Sequence, residues 1–383
     1  MWLYEILNEY GNKASAMENG KSTKKKPAME LFPQEIRENL DRILKEELNK
    51  VGAHVEKGRI VLKADVRDLM KNIAKEVNPK PVETVENFFA RPEEIDPTRI
   101  EPVLEPVNTR VRANIFATAV SKWSVPVSAG YGRRMRYIVV DEYHGKVIGI
   151  VGLCDPVIGL KVRDSYIGWN KEQRIKRLYN LMTAYVLGAV EPYNTLLGAK
   201  LVALMVATKE VRQDFKEKYM GKETIIRQEK KIPELVAIDT MGAFGRTPIY
   251  NRLEGWKKVG YTKGYTHLML TFGDFFKELV KVMRELGVIE KDDYVYGKGP
   301  NWRMRVLRKG LKMMGYNPDK LLHLEHKRAY YIRPLARNWR EFLKCETNVV
   351  EPDAPSIYKV VEDWKRKWLP KGIRRWEATY GKE

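Results

Sequence analysis

The sequence predicts an α/β (α+β) protein whose core is a mixed β-sheet flanked by helices. Residues 136–153 form two apolar runs joined by a short turn, which predicts an antiparallel hairpin. Apolar runs at 185–190 and 235–240 predict two further strands of the same sheet. The segment 198–219 has the pattern of one long amphipathic helix that leaves the sheet. Strands that alternate with a long helix are typical of such a layered architecture.

Composition divides the chain into five regions. Residues 19–27 are polar and basic with no apolar anchor, which is typical of an arm. Apolar residues recur at helix spacing from Ile36 to Leu48, and prolines cluster between 79 and 106. We therefore predict a flexible N-terminal arm (1–30), a small helical region (31–80), a proline-rich linker (81–110), the α/β domain (111–272) and a basic, aromatic-rich helical region (273–383).

The overall composition is that of a folded globular protein. The chain has 383 residues, of which 44% are hydrophobic and 31% are charged. No apolar run approaches the roughly 18–20 residues of a membrane span, and the first residues lack a basic-then-apolar signal pattern. The two cysteines, Cys154 and Cys345, cannot form a disulfide framework. These features predict a cytoplasmic protein without a membrane partner.

The charge predicts a polyanionic partner. Lys and Arg number 70 against 50 Asp and Glu, a formal net charge of +20. Residues 297–344 contain 13 Lys/Arg and 3 Asp/Glu, which is half of that surplus. Aromatic residues are interleaved there, and this combination suits phosphate contact with base stacking, although a solvated basic surface has the same pattern. The predicted nucleic-acid-binding residues, with DNA favoured over RNA, are Arg303, Arg305, Arg308, Lys309, Lys312, Arg333, Arg337 and Arg340.

Polar residues next to strand ends predict substrate-binding positions. Consecutive guanidinium groups before the first strand suit phosphate. A second cluster, after the fourth strand, combines arginines with a tyrosine without apolar spacing. The predicted substrate-binding residues are Arg133, Arg134, Arg136, Trp169, Thr240, Arg246, Asn251 and Arg252.

Two carboxylates follow the second strand. Asp155 and Asp164 are of the residue type that acts as a general base or holds a metal. Equally, an Asp before Pro is common turn chemistry, and Arg163-Asp164 can be a local ion pair. His323 and His326 are three residues apart without further clustered ligands, so no metal is predicted.

The order of strands and loops resembles the GNAT superfamily of N-acetyltransferases. In that superfamily a loop and helix start after the fourth strand wrap the pyrophosphate of an acyl-coenzyme A. The resemblance implies an acyl-coenzyme A cofactor, with Tyr250 protonating the leaving thiolate and Asp164 or Asp155 deprotonating the acceptor. Here Leu196 replaces the first glycine of the loop. The implied cofactor-binding residues are Tyr193, Asn194, Leu197, Gly198, Ala199 and Lys200.

A second resemblance spans most of the chain from about residue 100 onward. The segments 123–126, 130–134, 163–169, 189–201, 245–252, 259–262 and 333–340 are, in order, similar to the uncharacterised-domain family that includes protein A of the Druantia anti-phage defence system. This resemblance implies phage defence or mobile-element biology and possible defence-complex subunits as partners. It supplies no reaction.

Two functional hypotheses follow. The first is a nucleic-acid-associated GNAT-like transferase that modifies a base. The alternative is a non-catalytic DNA-binding module that has lost cofactor binding, which Leu196 in the loop favours. A nuclease that uses Asp155 and Asp164 stays open as a third reading.

Overall fold

The structure is a computed structural model. It describes residues 31–63, 65–127, 132–224, 228–263, 270–271, 273–289, 302–324 and 326–381. The arm predicted for residues 1–30 lies outside these ranges. The chain divides into two compact units, the first comprising Met1–Ile73 with Gly264–His326 and the second Ala74–Lys263 with Lys327–Glu383.

The described strands belong to a two-stranded and a seven-stranded sheet. In chain order they are β1 (Ala53–Glu56), β2 (Arg59–Leu62), β3 (Pro102–Pro106), β4 (Arg134–Asp141), β5 (Lys146–Cys154), β6 (Leu181–Ala189), β7 (Ala237–Met241), β8 (Lys257–Tyr261) and β9 (Ala329–Pro334).

The described α-helices are α1 (Gln34–Lys50), α2 (Val66–Val77), α3 (Arg110–Ser121), α4 (Lys161–Ile167), α5 (Lys171–Arg177), α6 (Gly198–Met205), α7 (Lys209–Tyr219), α8 (Asp274–Glu285), α9 (Trp302–Met313), α10 (Pro318–Leu321), α11 (Trp339–Leu343), α12 (Ile357–Lys367) and α13 (Leu369–Tyr380). Short 3₁₀ helices lie at Glu83–Phe88, Pro92–Glu94 and Leu178–Asn180.

The first unit is a small helical body with one hairpin. Leu40, Leu44 and Leu48 recur every four residues on α1 and are buried, because that stripe faces α8 and β1. The β1–β2 hairpin is antiparallel, and α9 packs on α8. Gly310 of α9 permits this approach, since an added methyl group would lie 2.6 Å from Leu279 of α8.

The second unit is built on the seven-stranded sheet, in the order β3-β4-β5-β6-β7-β9-β8. All neighbours are antiparallel except β6 and β7, which are parallel. β7 pairs with Leu181–Ala184 only, whereas β6 continues to Ala189. The two parallel strands therefore stop pairing in the middle of the sheet.

The two faces of this sheet carry different helices. On one face, which we call the α6 face, Met182, Ile238 and Tyr331 share a core with α6, α7, α12 and α13. On the other, which we call the α3 face, Ile138 and Ile150 pack on α3, while other strand residues pack on α4 and α11. Both faces are covered because the strands are apolar on both sides.

The predicted mixed sheet flanked by helices is confirmed. The hairpin predicted at 136–153 is β4–β5, and the runs predicted at 185–190 and 235–240 belong to β6 and β7 of the same sheet. The prediction of a single helix at 198–219 was wrong in one respect. It is two helices, α6 and α7, separated near Thr208, whose hydroxyl donates to Met205 O at 2.9 Å.

The unit boundaries differ from the predicted regions. The predicted linker 81–110 contains β3, which pairs along β4 at the edge of the sheet. The predicted helical region 273–383 is divided between the two units, because β9 pairs with β7 and β8. None of the helices in the described ranges has the length and apolar character that a bilayer crossing requires.

Candidate functional site

The predicted catalytic residues lie on opposite faces of the sheet, as the neighbours of Asp239 and Thr240 on β7 show. Successive side chains of a strand point to opposite faces. Thr240 lies on the α6 face with Tyr250, whereas Asp239 lies on the α3 face, close enough to Asp164 for its charge to act there. The structure therefore does not bring Asp164 and Tyr250 together in one site.

Asp164 is held by basic groups on the α3 face. Its Oδ1 accepts hydrogen bonds from Arg163 Nε and Trp169 Nε1, both at 3.0 Å, and its Oδ2 accepts from Arg174 at 2.9 Å. Burial raises the pKa of Asp164, but the charge of Arg163 and these hydrogen bonds outweigh it and leave the pKa lowered. Arg163 itself is fully buried and donates to the carbonyls of Val157 and Ile158. Asp164 and Trp169 thus serve a buried ion-pair network.

Asp155 is paired with the first of the three predicted arginines. It accepts from Arg133 N at 2.9 Å and from Arg133 Nε at 2.8 Å. The Arg133 guanidinium also lies 3.8 Å from the centroid of the Tyr179 ring and donates to Tyr179 O. Gly132 permits this turn, since its φ is +53° and an added methyl group would lie 2.1 Å from the Asp155 carboxylate.

Arg134 and Arg136 lie on a different surface from Arg133. They alternate on β4 and stand on the α3 face, opposite Cys154 and Gly152 of β5. Tyr185 of β6 lies over Gly152, where an added methyl group would be 2.4 Å from the phenol ring. Burial raises the pKa of Tyr185, and a hydrogen bond and the charge of Arg136 oppose that rise.

Side chains of β4 and β6 form a polar strip on either side of β5. We use this name for Arg134, Arg136, Thr183 and Tyr185, all of which are partly exposed. The Arg136 guanidinium is 5.5 Å from the Phe116 ring centroid, and within the described ranges no carboxylate lies within ion-pair distance of it. An arginine without an acidic partner on an accessible strand suits an anionic ligand.

Asp239 stands next to the strip and was not among the predicted site residues. Thr183, opposite it on β6, and Tyr330 of β9 both donate hydrogen bonds to its carboxylate, the latter at 2.8 Å. Burial raises the pKa of Asp239 despite those bonds and the nearby charge of Arg163. A carboxylate inside an otherwise apolar strand was the available sequence signal, because buried acids with raised pKa values concentrate at functional sites.

On the α6 face, Lys200 fixes the loop that precedes β8. Its ammonium donates to the carbonyls of Pro248, Ile249 and Asn251 at 2.8–2.9 Å. Three N–H groups are all that an ammonium has, so Lys200 has none left for a cofactor phosphate. Burial, with the charges of Arg252 and Lys371, lowers its pKa to about 8.

The same loop carries Tyr250, which is buried. Its ring lies 4.5 Å from that of Trp256 and 4.8 Å from that of Tyr331. Burial raises the pKa of Tyr250, and a hydrogen bond with Thr240 opposes the rise. Thr240 in turn donates to Ala184 O at 2.9 Å, at the last β6–β7 pair. The predicted neighbours Arg246 and Arg252 are exposed, and Asn251 is partly exposed.

The start of α6, predicted to bind the cofactor, is covered by the C-terminal helices. Gly372 of α13 lies against the backbone of Leu196, since an added methyl group would be 2.5 Å from its carbonyl oxygen. Trp364 of α12 donates to Leu197 O at 3.3 Å, and the Gly198 amide donates to Tyr193 O. Tyr193 is buried and donates to Asp141, whereas Asn194 is exposed and Ala199 partly exposed. These contacts do not fit a pyrophosphate at this helix start.

The predicted nucleic-acid-binding residues belong to both units. Arg303, Arg305, Arg308, Lys309 and Lys312 follow one another on α9, which has no acidic residue. Arg308 pairs with Asp319 at 2.7 Å, and Lys309 donates to Val288 O. In the second unit Arg333 is partly exposed, Arg337 is exposed and Arg340 lies over the Tyr166 ring at 4.2 Å. Across the described ranges, no group of three or more His, Cys, Asp and Glu is arranged to hold a metal ion.

Comparison with known proteins identifies the family. The family model described as Druantia protein DruA matches residues 57–345. The chain belongs to the DruA family. Druantia protein DruA of Escherichia coli (strain UMEA 4076-1) is 40% identical over 297 residues, 75% of this chain and 72% of that protein. Membership of the DruA family implies a role in anti-phage defence.

The DruA match covers every predicted site residue, and it ends before α12 and α13. No solved structure matches the chain. The resemblance to the GNAT superfamily therefore stays a prediction.

Proposed function

We propose that this chain is a nucleic-acid-binding component of an anti-phage defence system, and that the polar strip contacts the nucleic acid. The observation that carries the proposal is the pair Arg134 and Arg136 on the α3 face, partly exposed, with no carboxylate at ion-pair distance from Arg136 in the described ranges. Guanidinium groups so presented bind phosphate oxygens.

Aromatic side chains beside the strip support a nucleic-acid ligand. Tyr185, in the middle of β6, is hydrogen-bonded with Arg136. Gly188 lies farther along β6, and the partly exposed Trp123 ring packs against it. A methyl group added to Gly188 would be 3.0 Å from the indole. Arginines with adjacent aromatic rings suit a strand whose backbone is charged and whose bases stack. The net charge of +20 adds long-range attraction.

The test is binding of a fluorescent DNA across a salt series. The Arg134→Glu/Arg136→Glu double variant removes two phosphate contacts, so we expect weaker binding and a salt slope smaller by about 2. The matched control is the double variant Arg374→Glu/Arg375→Glu, which makes the same change in charge at two exposed arginines of α13, on the α6 side. Equal losses for both variants would mean that general charge, not the strip, binds DNA. Circular dichroism checks that both variants fold.

A second candidate is a base-modifying transferase, and the position of Tyr250 favours it. Tyr250 and Thr240 lie where β6 and β7 stop pairing, and ligands of open α/β sheets bind beyond the carboxyl ends of parallel strands. Since the start of α6 does not fit a pyrophosphate, we derive no step through acyl-coenzyme A. Intact-mass analysis of ligands that co-purify with the chain tests this candidate. Bound coenzyme A would support it, and the absence of any bound ligand would oppose it.

A further inference from the structure

The second unit contains a cleft on the side of the sheet away from the polar strip. It measures about 450 Å³ and lies between the loop Arg252–Gly255, the end of β9, the loop at 353–355, and α12. Small-molecule sites commonly have volumes of about 300–1,000 Å³. The cleft is therefore large enough for a nucleotide, whereas a single inorganic ion would leave most of it empty.

Two arginines give the cleft its charge. Among its lining residues, Lys359 pairs with Asp363 at 3.5 Å and Lys367 with Glu254 at 3.7 Å. Asp353 is 4.0 Å from Arg337, which is outside the cleft. Arg252 and Arg333 have no carboxylate within ion-pair distance in the described parts of the chain. Its lining has four cations and three acids, a formal charge of +1, and both arginines stand outside the ion pairs.

Arg333 reaches the cleft because residue 255 is a glycine. Gly255 has φ of +76°, and an added methyl group would lie 2.3 Å from the guanidinium carbon of Arg333. Arg333 Nη1 donates to Pro334 O at 2.7 Å, which fixes the side chain. Burial lowers the pKa of Arg333, and the acids Asp353 and Glu254 oppose that effect. A guanidinium placed in this way has its direction set before any ligand arrives.

The other side of the cleft adds an aromatic ring, which contacts two cations outside the lining. Trp368 lines the cleft, and the ammonium of Lys200 is 4.2 Å and that of Lys371 5.2 Å from its ring centroid. Burial and the charges of Arg252 and Lys371 lower the pKa of Lys200. Mutual repulsion among these cations falls when an anion binds beside them.

We propose that this cleft binds the phosphate-bearing part of a nucleotide, with Arg252 and Arg333 as the phosphate contacts. Leu204, Leu253 and Val360 supply apolar surface for the sugar and base. A free mononucleotide and the 5′-phosphorylated end of a nucleic-acid strand share this chemistry. The site is on the α6 side, so it is separate from the proposed DNA contact at the polar strip.

The experiment measures thermal stabilisation and affinity with two probes. ADP represents the free nucleotide, and a 5′-phosphorylated 12-mer, compared with the same 12-mer lacking the phosphate, represents the strand end. Sodium chloride at matched ionic strength is the reference. We expect ADP, or the phosphorylated 12-mer beyond its unphosphorylated counterpart, to raise Tm above that reference. The probe that does so identifies the source of the phosphate.

Variants decide whether the cleft is responsible. Arg252→Gln should weaken the effective probe by roughly tenfold or more, because one charge-assisted hydrogen bond is lost. Arg252 is exposed, so this variant should fold even if Arg333→Gln does not. Arg374→Gln, an exposed arginine of α13 outside the cleft, should bind as the wild type does. No stabilisation beyond salt by either probe, or full binding by Arg252→Gln, would overturn the proposal. Both outcomes leave DNA binding at the strip untouched.

Discussion

The two faces of the central sheet use basic side chains in opposite ways. On the α6 face, Lys200 donates to three loop carbonyls, and Arg212 donates to Leu235 O and Glu234. On the α3 face, Arg134 and Arg136 stay partly exposed at the polar strip. A buried cation must satisfy its donors within the protein, because an unpaired buried charge is very costly. A cation on a partly exposed strand can reach a ligand from solvent.

The same contrast separates two carboxylates on the α3 face. Asp164 is ionised among arginines, and its pKa is lowered even though burial acts in the opposite direction. Asp239 receives hydrogen bonds from two hydroxyls, and burial raises its pKa. Asp164 therefore serves the local structure, while Asp239 is the group suited to hold a proton near the polar strip.

The largest effect should come from Arg163, the structural cation of the α3 face. Arg163→Ala removes the donors to Val157 O and Ile158 O and leaves Asp164 with one fewer cation. We expect unfolding free energy to fall by about 3–5 kcal/mol, the usual cost of breaking a buried ion pair. Urea denaturation measures it. Lys161→Ala, exposed on the same helix, should change stability by less than about 0.5 kcal/mol. Equal losses of unfolding free energy in the two variants would mean that the Arg163–Asp164 network does not stabilise the fold.

The next effect tests the cation of the α6 face. Lys200→Met leaves three carbonyls without their donor, and we expect a loss of about 2–4 kcal/mol. Its pKa is about 8 in the folded chain, below the usual value of 10.5. The unfolded chain therefore binds more protons between about pH 8 and 10.5, so wild type should gain stability relative to Lys200→Met as pH rises through that window. Parallel pH profiles for the two proteins would contradict this role.

Only part of this fold could be predicted from the sequence. The strands β4, β5, β6 and β7 were predictable because their apolar runs are continuous. β3 and β9 were not, because one lies among prolines and the other among basic residues, and pairing with distant strands decides both. Arg134 and Arg136 were predicted from their clustering, and their role in binding stays a prediction. The acceptors of Lys200 lie about fifty residues away, so no local pattern could identify them.

A smaller, pH-dependent effect tests Asp239. Its folded pKa is raised, so the folded chain holds a proton that the unfolded chain releases near pH 4. Stability from this group is complete below that pH and is lost as pH rises through the raised pKa. Asp239→Asn cannot ionise, so its stability relative to wild type should increase from pH 4 toward neutrality. Urea denaturation over that range measures the difference. A constant difference would mean that Asp239 is not protonated in the folded chain.

The smallest structural effect, and the sharpest functional test, is Tyr250→Phe. The change removes one hydroxyl and its hydrogen bond with Thr240, while the ring can still pack on Trp256 and Tyr331. We expect a stability loss within about 1.5 kcal/mol and unchanged DNA binding, since Tyr250 is on the face opposite the polar strip. Phage protection in a host that carries the remaining defence components is the readout. If protection disappears while folding and DNA binding remain, the hydroxyl acts in chemistry at the point where β6 and β7 stop pairing. If protection is intact, the Tyr250 hydroxyl has no part in chemistry. DNA binding at the polar strip would then be the function of the second unit.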